Sequence, residues 1–291
     1  MENEIVKRQN QDKSISLLCS QRYIYSRAKT YQSFYTIFAL PLMLVLTLLI
    51  KPFFLAEFQL DLTNYIAIYA LVLTFFETMW LKSKVLDYQE IAARIQEQFD
   101  RYVYGFDWSS ILSGDKVSKH DVLKFSKSYK GDIDGLKNWY STSVSETNLN
   151  KGILLCQNEN LGWDIELRSK FINVINLFLI SLSFLIILSA LYNKVTLEGF
   201  ILSYVIPFTP VIIYYRGNSK NHQMAIESKK KLKSLIEEAF EEENLSLENL
   251  EEIQVQIFHA RKYNPMIPDW FNKINHSKLQ ENVTEVTNEY K

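Results

Sequence analysis

Between Lys170 and Lys194 the chain carries no charged residue; the intervening stretch, residues 171–193, reads FINVINLFLISLSFLIILSALYN. About 20 consecutive apolar residues are what a helix needs to cross the hydrocarbon core of a bilayer. A soluble core helix of that length would show a polar face. Here the polar side chains are only Asn173, Asn176, Ser181, Ser183, Ser189 and the terminal Asn193. Ser169, Asn176, Ser183 and Ala190 recur at seven-residue intervals, so they form one narrow stripe of small or amide side chains on an apolar rod. The segment reads as a membrane span with one face turned to protein or water.

Three more stretches have the same character. No charge lies between Lys29 and Lys51, which marks a span over 33–51 with Pro41 as a kink. The next, over 62–82, is interrupted only by Glu77. The last, over 199–215, contains Pro207 and Pro210, which distort a helix and free backbone carbonyls. Basic residues cluster before the first span and after the last (Lys7, Arg8, Arg22, Arg27, Arg216, Lys220), and the connection over 51–61 is slightly acidic. By the positive-inside rule both termini are cytosolic and the four spans form two hairpins, 31–82 and 171–215. Glu77 has two readings. An intramembrane carboxylate is a pore-lining candidate; one turn from Lys82 and beside Trp80, it also fits the headgroup level.

Average composition hides this pattern. The 291 residues are 47% hydrophobic with a formal charge of -1, because apolar blocks are diluted by charged ones. Net charge therefore gives no reason to invoke DNA or RNA. Cys19 and Cys156 are far apart and form no CxxC, which points to a reducing compartment and away from a metal or disulfide framework. The N-terminal MENEIVKRQNQDK lacks the apolar core of a cleavable signal.

The rest of the chain is helical and soluble in character, giving a mostly α membrane protein. Residues 1–30 form a cytosolic N-terminal helix. Residues 83–170 form a cytosolic helical insert, the sensor candidate. In it Leu86, Ile91, Ile95, Phe99 and Val103 mark an amphipathic helix continuing the second span, ended by Gly105. A short helix near 122–129 follows, and a helix from about 150 leads into the third span. Residues 216–291 hold cytosolic C-terminal helices. The first of them, over 219–243, is basic first and acidic last, opposite to what the helix dipole favours. A second amphipathic helix carries Leu247, Leu250, Ile253, Ile257 and Ala260 and ends before NPMIPDWF, where two prolines force extended chain.

Catalytic signatures are missing. There is no P-loop, HExxH or GxSxG, and His120, His222, His259 and His276 are scattered, so neither a catalytic nor a metal site is expected. Glu97, Asp100 and Asp107 are the carboxylates to weigh as an acid/base pair, but Glu97 and Asp100 lie one turn apart on a helix and read as a solvated charged face. The chain reads as no enzyme.

Five strings, taken in order, carry a resemblance: QNQDKSISLLCSQRYIYSRAK (9–29), IQEQFDRYVYGFDW (95–108), WY (139–140), CQNENLGWDIELR (156–168) and IFHARKYNPMIPDWF (257–271). Set around two hairpins, they resemble the S-4TM family, the SMODS-associated four-transmembrane effectors of bacterial CBASS anti-phage systems. Asn158 departs from an expected Arg after Cys-Gln, and Gln254-Val255-Gln256 lacks an expected acidic residue. The resemblance implies a pore-forming or membrane-disrupting effector. It would be activated by a cyclic di- or trinucleotide from a cGAS-like nucleotidyltransferase, assemble as a homo-oligomer and cause abortive infection; no cofactor is implied beyond the cyclic oligonucleotide ligand. Phosphates call for Arg or Lys, and bases for stacking surfaces or amides. The ligand-binding candidates at family-similar positions are Trp108, Trp139, Tyr140, Asn158, Asn160, Trp163 and Arg168. Asn176, Ser183, Ala190 and Glu77 are the pore or helix-packing candidates. Arg261 is equally placed to tie the tail to the insert by a salt bridge. The alternatives are a constitutive small channel or transporter, and a non-conducting membrane-anchored receptor or scaffold.

Overall fold

The structure, a computed structural model, describes residues 3–241 and 245–290. Glu242 and Glu243, which close the expected tail helix, lie outside the described residues. All regular elements among the described residues are helical. A short α1 (Ile5–Gln9) precedes the long α2 (Asp12–Phe58) and α3 (Thr63–Tyr104). Two small helices, α4 (Ser110–Ser113) and α5 (Lys119–Ser128), lie in the insert. The long α6 (Leu149–Tyr192) and α7 (Leu197–Glu241) follow. The chain closes with α8 (Leu247–Tyr263) and α9 (Asp269–Glu289). The four long helices α2, α3, α6 and α7 each hold a stretch long and apolar enough to cross a membrane.

The helices sort into two compact units. One comprises Lys29–Val85 and Phe171–Asn221, which hold the apolar stretches. The other collects the residues up to Ala28, Leu86–Lys170 and the residues from His222 on. Sequence patterning separates the N-terminal helix, insert and tail; folding gathers described parts of all three into this second, helical unit.

The apolar unit is greasy outside as well as inside. Phe34, Leu49, Leu71, Phe75, Leu177, Ile180 and Leu191 are all exposed, an arrangement a water-soluble monomer avoids and a lipid-facing bundle requires. Its interior packs Ala39, Ala70 and Ala190 with Met43, Ile66, Ile186 and Phe208, the small residues letting helices approach closely. Polar side chains tie these helices to one another. Gln32 donates to Tyr214 at 2.9 Å, Lys51 to Ser203 at 2.5 Å, and the Tyr69 hydroxyl to the Phe38 carbonyl at 3.0 Å. Proline explains much of the helix irregularity. π-helical turns occur at Phe38–Leu42, which contains Pro41, and at Leu46–Ile50 and Ile201–Val205, just before Pro52 and Pro207. A proline supplies no N–H to the preceding turn, so the backbone there widens. A further π turn, Glu77–Leu81, begins at the Glu77 carboxylate. Each hairpin turns on a left-handed residue, Gln59 and Lys194, with the next N–H closing back on Phe54 O and Ala190 O, both at 3.3 Å.

The helical unit has an ordinary apolar core, including Leu18, Ile95, Phe99, Val103, Ile153, Leu154, Ile236 and Ile257. Local caps set its shorter helices. Ser109, Ser118 and Ser246 each accept the N–H three residues on. Gly105, at φ +84°, terminates α3, and its N–H and that of Phe106 both bond the Arg101 carbonyl.

Two glycines give opposite expectations. Gly105→Ala forces a side chain into the left-handed region and 2.8 Å from the Arg8 guanidinium, and is expected to lower stability by about 1–2 kcal/mol. Gly162→Ala lies inside α6 with open space for the methyl and is expected to raise stability by about 0.4–1 kcal/mol. Thermal unfolding of the purified chain in detergent reads both; equal shifts of one sign would contradict this assignment.

Candidate functional site: buried charge networks of the helical unit

Helical spacing places one set of charged side chains inside the unit. On α3, Glu97 and Arg101 are four apart and Asp100 lies one turn from Glu97, and all three are buried. Glu97 accepts from Arg101 Nε and from Gln254 Nε2, each at 2.7 Å. Asp100 accepts from Gln254 Nε2 at 3.0 Å, from the Tyr140 hydroxyl at 2.7 Å, and from Arg261 in a closed ion pair. Tyr140 in turn accepts from Asn160 Nδ2 at 3.0 Å, and its backbone exchanges hydrogen bonds with the Gln9 amide at 2.8 and 3.1 Å. Arg101 also reaches Glu251 at 2.5 Å and the Asp107 carbonyl. Helices α3 and α8 therefore meet at one carboxylate with both oxygens hydrogen-bonded, and α1 and α6 are joined to it through Tyr140.

A second network lies further along α6. Asp164 sits between Arg168, at 2.5 Å, and Lys229 of α7, at 2.7 Å. Arg168 continues to His222 Nδ1 at 2.8 Å and to the Pro265 carbonyl at 2.6 Å. A third joins Glu159 to Thr287 Oγ1 at 2.8 Å and to the Ser141 N–H at 3.1 Å, docking α9.

Burial and pairing set the protonation of these groups. Burial, reinforced by Asp100, pushes the Glu97 carboxyl up to about 7 against the pull of Gln254, Arg261 and Arg101. Burial alone lifts Glu159 to about 7. Burial also opposes ionisation of Asp164, but Arg168 and Lys229 overcome it and hold that carboxyl well below the usual range. His222, buried and beside the Arg168 guanidinium, is lowered to about 3 and stays neutral. Buried and free, Cys156 has its thiol pushed up by burial and is no nucleophile.

The sequence-selected ligand residues fall into separate places. Tyr140 and Asn160 join the first network and Arg168 the second. Asn158 is buried with its Oδ1 unpartnered. Trp163 stands edge-on to His276 at 5.1 Å. Trp139 packs on Phe99 and lies under Arg22, 5.2 Å from the ring. Trp108 donates to the Gly114 carbonyl at 3.1 Å. None of them lines the open cavity of about 410 Å³ formed by Glu4, Arg8, Tyr104, Gly105, Phe106, Leu149 and Leu247.

Two readings of the charged residues are resolved by the geometry. Glu97 and Asp100 do not form a solvated face; both have zero exposure, because α8 covers the side of α3 that periodicity assigned to water. Arg261 does tie the tail to the insert, through Asp100. Gln254, noted in the sequence only for the acid missing from Gln254-Val255-Gln256, has a role that sequence reasoning missed, as do Lys229 and Glu251. Standing where an acid was expected, it offers its amide to two carboxylates at once; a third carboxylate there would be repelled. The Glu97/Arg101 spacing of four was the available signal. Among the described residues no group of three metal-ligating side chains converges.

Comparison with known proteins places this architecture in a class. The family model described as the SMODS-associating 4TM effector domain matches residues 3–290. The chain belongs to that family of four-transmembrane effectors. A relative from Bacillus cereus (strain VD146), named "Probable CBASS effector molecule", is 26% identical over 290 residues, covering 97% of this chain and 96% of its own length. No solved structure matches.

Asp100→Ala leaves Arg261 buried without its carboxylate and is expected to cost about 3–5 kcal/mol. Asp100→Leu combined with Arg261→Met should recover most of that loss in thermal unfolding; additive losses would mean that the pair is not energetically coupled.

Stability should also depend on pH. Above pH 6.5 His222 is neutral in the native state and mostly neutral in the unfolded chain, while native Glu97 and Glu159 still bind protons that the unfolded chain, near 4.5, has released. Stability is therefore expected to fall as pH rises from about 6.5 to 8. Glu97→Gln should flatten part of that slope, as read from unfolding midpoints at each pH; an unchanged slope would show that Glu97 does not titrate in this window.

Proposed function

We propose that the chain is a membrane effector of a CBASS anti-phage system. A cyclic di- or trinucleotide made by a cGAS-like nucleotidyltransferase switches it on, and several copies assemble in the inner membrane and breach it. The observation that carries this reading is the family match over almost the whole chain, together with the name of the Bacillus cereus relative. The protein works without catalysis. Its helical unit senses the ligand on the cytosolic side, where both termini also lie, and its apolar unit opens the bilayer.

The helix α6 supports the coupling of those tasks. Within one element it carries Asn160, Asp164 and Arg168 of the buried networks and the uncharged stretch beyond Lys170. A ligand shifts such a protein only by its differential affinity for two states. Trp108, Trp139, Tyr140, Asn158, Asn160, Trp163 and Arg168 remain the proposed sensor residues. In the apolar unit, Ala190 is buried, Asn176 accepts from Ser219 Oγ at 3.3 Å, and Ser183 is exposed with its hydroxyl on the Leu179 carbonyl. Ser183 is thus free to face another copy or water after assembly, as is the half-buried Glu77.

Dye release from liposomes carrying the purified protein tests the reading, with a panel of cyclic di- and trinucleotides. Release with one ligand only is expected. Release without ligand would favour a constitutive channel, and no release despite verified insertion would favour a non-conducting receptor. At equal expression, Asn176→Leu with Ser183→Leu is expected to cut ligand-triggered release by about tenfold or more; unchanged release would reduce the stripe to static packing.

A further inference from the structure

Ile111 is 96% exposed, although the turn that carries it is built to stay rigid. Ser109 caps α4, the Trp108 indole donates to the Gly114 carbonyl at 3.1 Å, and Lys116 lies over the indole ring. From α3, Arg94 and Gln98 donate to the Asp115 and Val117 carbonyls, each at 3.2 Å. The turn therefore presents Ile111, with the exposed Leu112 beside it, as a preformed apolar knob whose ordering cost is already met by folding.

A hole lies beside the knob. The open cavity of about 410 Å³ has Phe106, Leu149 and Leu247 on its apolar wall and the Arg8–Glu4 ion pair on its polar wall. Both features lie along α8. Leu247 opens that helix, α4 packs against it, and Arg101 links Asp107, just before the knob, to Glu251 of α8. Charge is divided in the same way. Lys116 and Lys119 are exposed on the knob side, and Glu248 and Glu252 on the α8 side. A face with a knob and a hole side by side, one basic and one acidic, is complementary to itself under a two-fold rotation.

We propose that this face pairs two copies of the chain, Ile111 of each copy entering the Phe106–Leu149–Leu247 cavity of the other, with Lys116 and Lys119 set against the partner's acidic α8. Pairing is isologous, so it closes at two subunits through the helical units. It rests on the reading of the chain as a self-assembling effector and supplies the dimer from which larger assemblies in the membrane are built.

The test uses the full chain in detergent. Ile111→Cys carrying one tag is mixed with Leu247→Cys carrying another, with the native Cys19 and Cys156 both buried. Mild oxidation is expected to give a product bearing both tags, at a yield that falls about tenfold between low and 1 M salt. Mass photometry is expected to show dimers for the parent chain and monomers for Ile111→Glu, whose fully exposed site leaves the fold intact. Absence of the two-tag product, or one mass for both proteins, overturns the proposal. Liposome leakage separates this from the broader reading: ligand-triggered release by a chain that shows no two-tag product would leave the effector assignment standing and remove only this interface.

Discussion

The buried carboxylate of Asp100 is the point on which the helical unit depends. A carboxylate withdrawn from water must have its lone pairs occupied, or it costs several kcal/mol. Asp100 meets that demand with Arg261, Gln254 and Tyr140, and each donor comes from a distant part of the chain. Tyr140 is itself held by Gln9 and Asn160. The insert and the tail supply these three donors, and Gln9 of the N-terminal helix fixes the Tyr140 backbone. The N-terminal helix, the insert and the tail therefore fold as one unit, although they are separated in sequence by apolar stretches. Buried ion pairs add little net stability compared with well-packed apolar side chains. What the network supplies is selectivity, because any other packing of these helices strands a charge.

That role explains which parts of the fold were legible in the sequence. The spans were legible because a bilayer imposes length and the absence of charge, both of which are one-dimensional properties. The same holds for the end of α3 at Gly105 and the stop before Pro265, where local backbone chemistry decides. The interior of the helical unit was much less readable. From Ile95 to Arg101 every residue of α3 is buried, so polar residues occupy interior positions and the usual apolar stripe understates how much of the helix is covered. Glu97 and Asp100 looked solvated for that reason. The helix α9 carries little apolar periodicity, and the Glu159–Thr287 bond that helps dock it joins residues 128 positions apart. Neither partner announces the other.

The strings that carried the family resemblance fare differently. IQEQFDRYVYGFDW holds Glu97, Asp100 and Arg101; CQNENLGWDIELR holds Gln157, Asn160, Asp164 and Arg168; IFHARKYNPMIPDWF holds Arg261 and Pro265. Apart from Gln157, these belong to the two charge networks, whose members Gln254, Glu251, Lys229 and His222 lie outside the strings. Sequence thus displayed the components without their pairing, because an ion pair between separate helices leaves no spacing rule to read. Tyr140 and Asn160, chosen as ligand contacts, already serve Asp100. Any ligand reaching them must compete with that hydrogen bonding or use what remains unfilled, such as Asn158 Oδ1 and Arg261 Nη2.

Helix α6 shows how such a network bears on a membrane. Gln157, Leu161, Asp164 or Arg168, Phe171, Ile175, Leu182, Ile186 and Ala190 follow intervals of three, four or seven residues. All are buried except Asp164, which is partly exposed. Such intervals keep one face of a helix in line. The chemistry of the face changes near Lys170, from amides and charges to hydrocarbon, while its register does not. Rotating this helix about its axis would draw Arg168 from His222 and the Pro265 carbonyl and Asp164 from Lys229, and in the same movement turn Ile175, Leu182 and Ile186 out of their packing. Charge pairing at one end opposes that rotation strongly and directionally. Apolar packing at the other end, against lipid as greasy as its neighbours, opposes it weakly. Resistance to rotation of α6 therefore comes chiefly from its charged end, where the partners are fixed hydrogen-bonding groups of other helices.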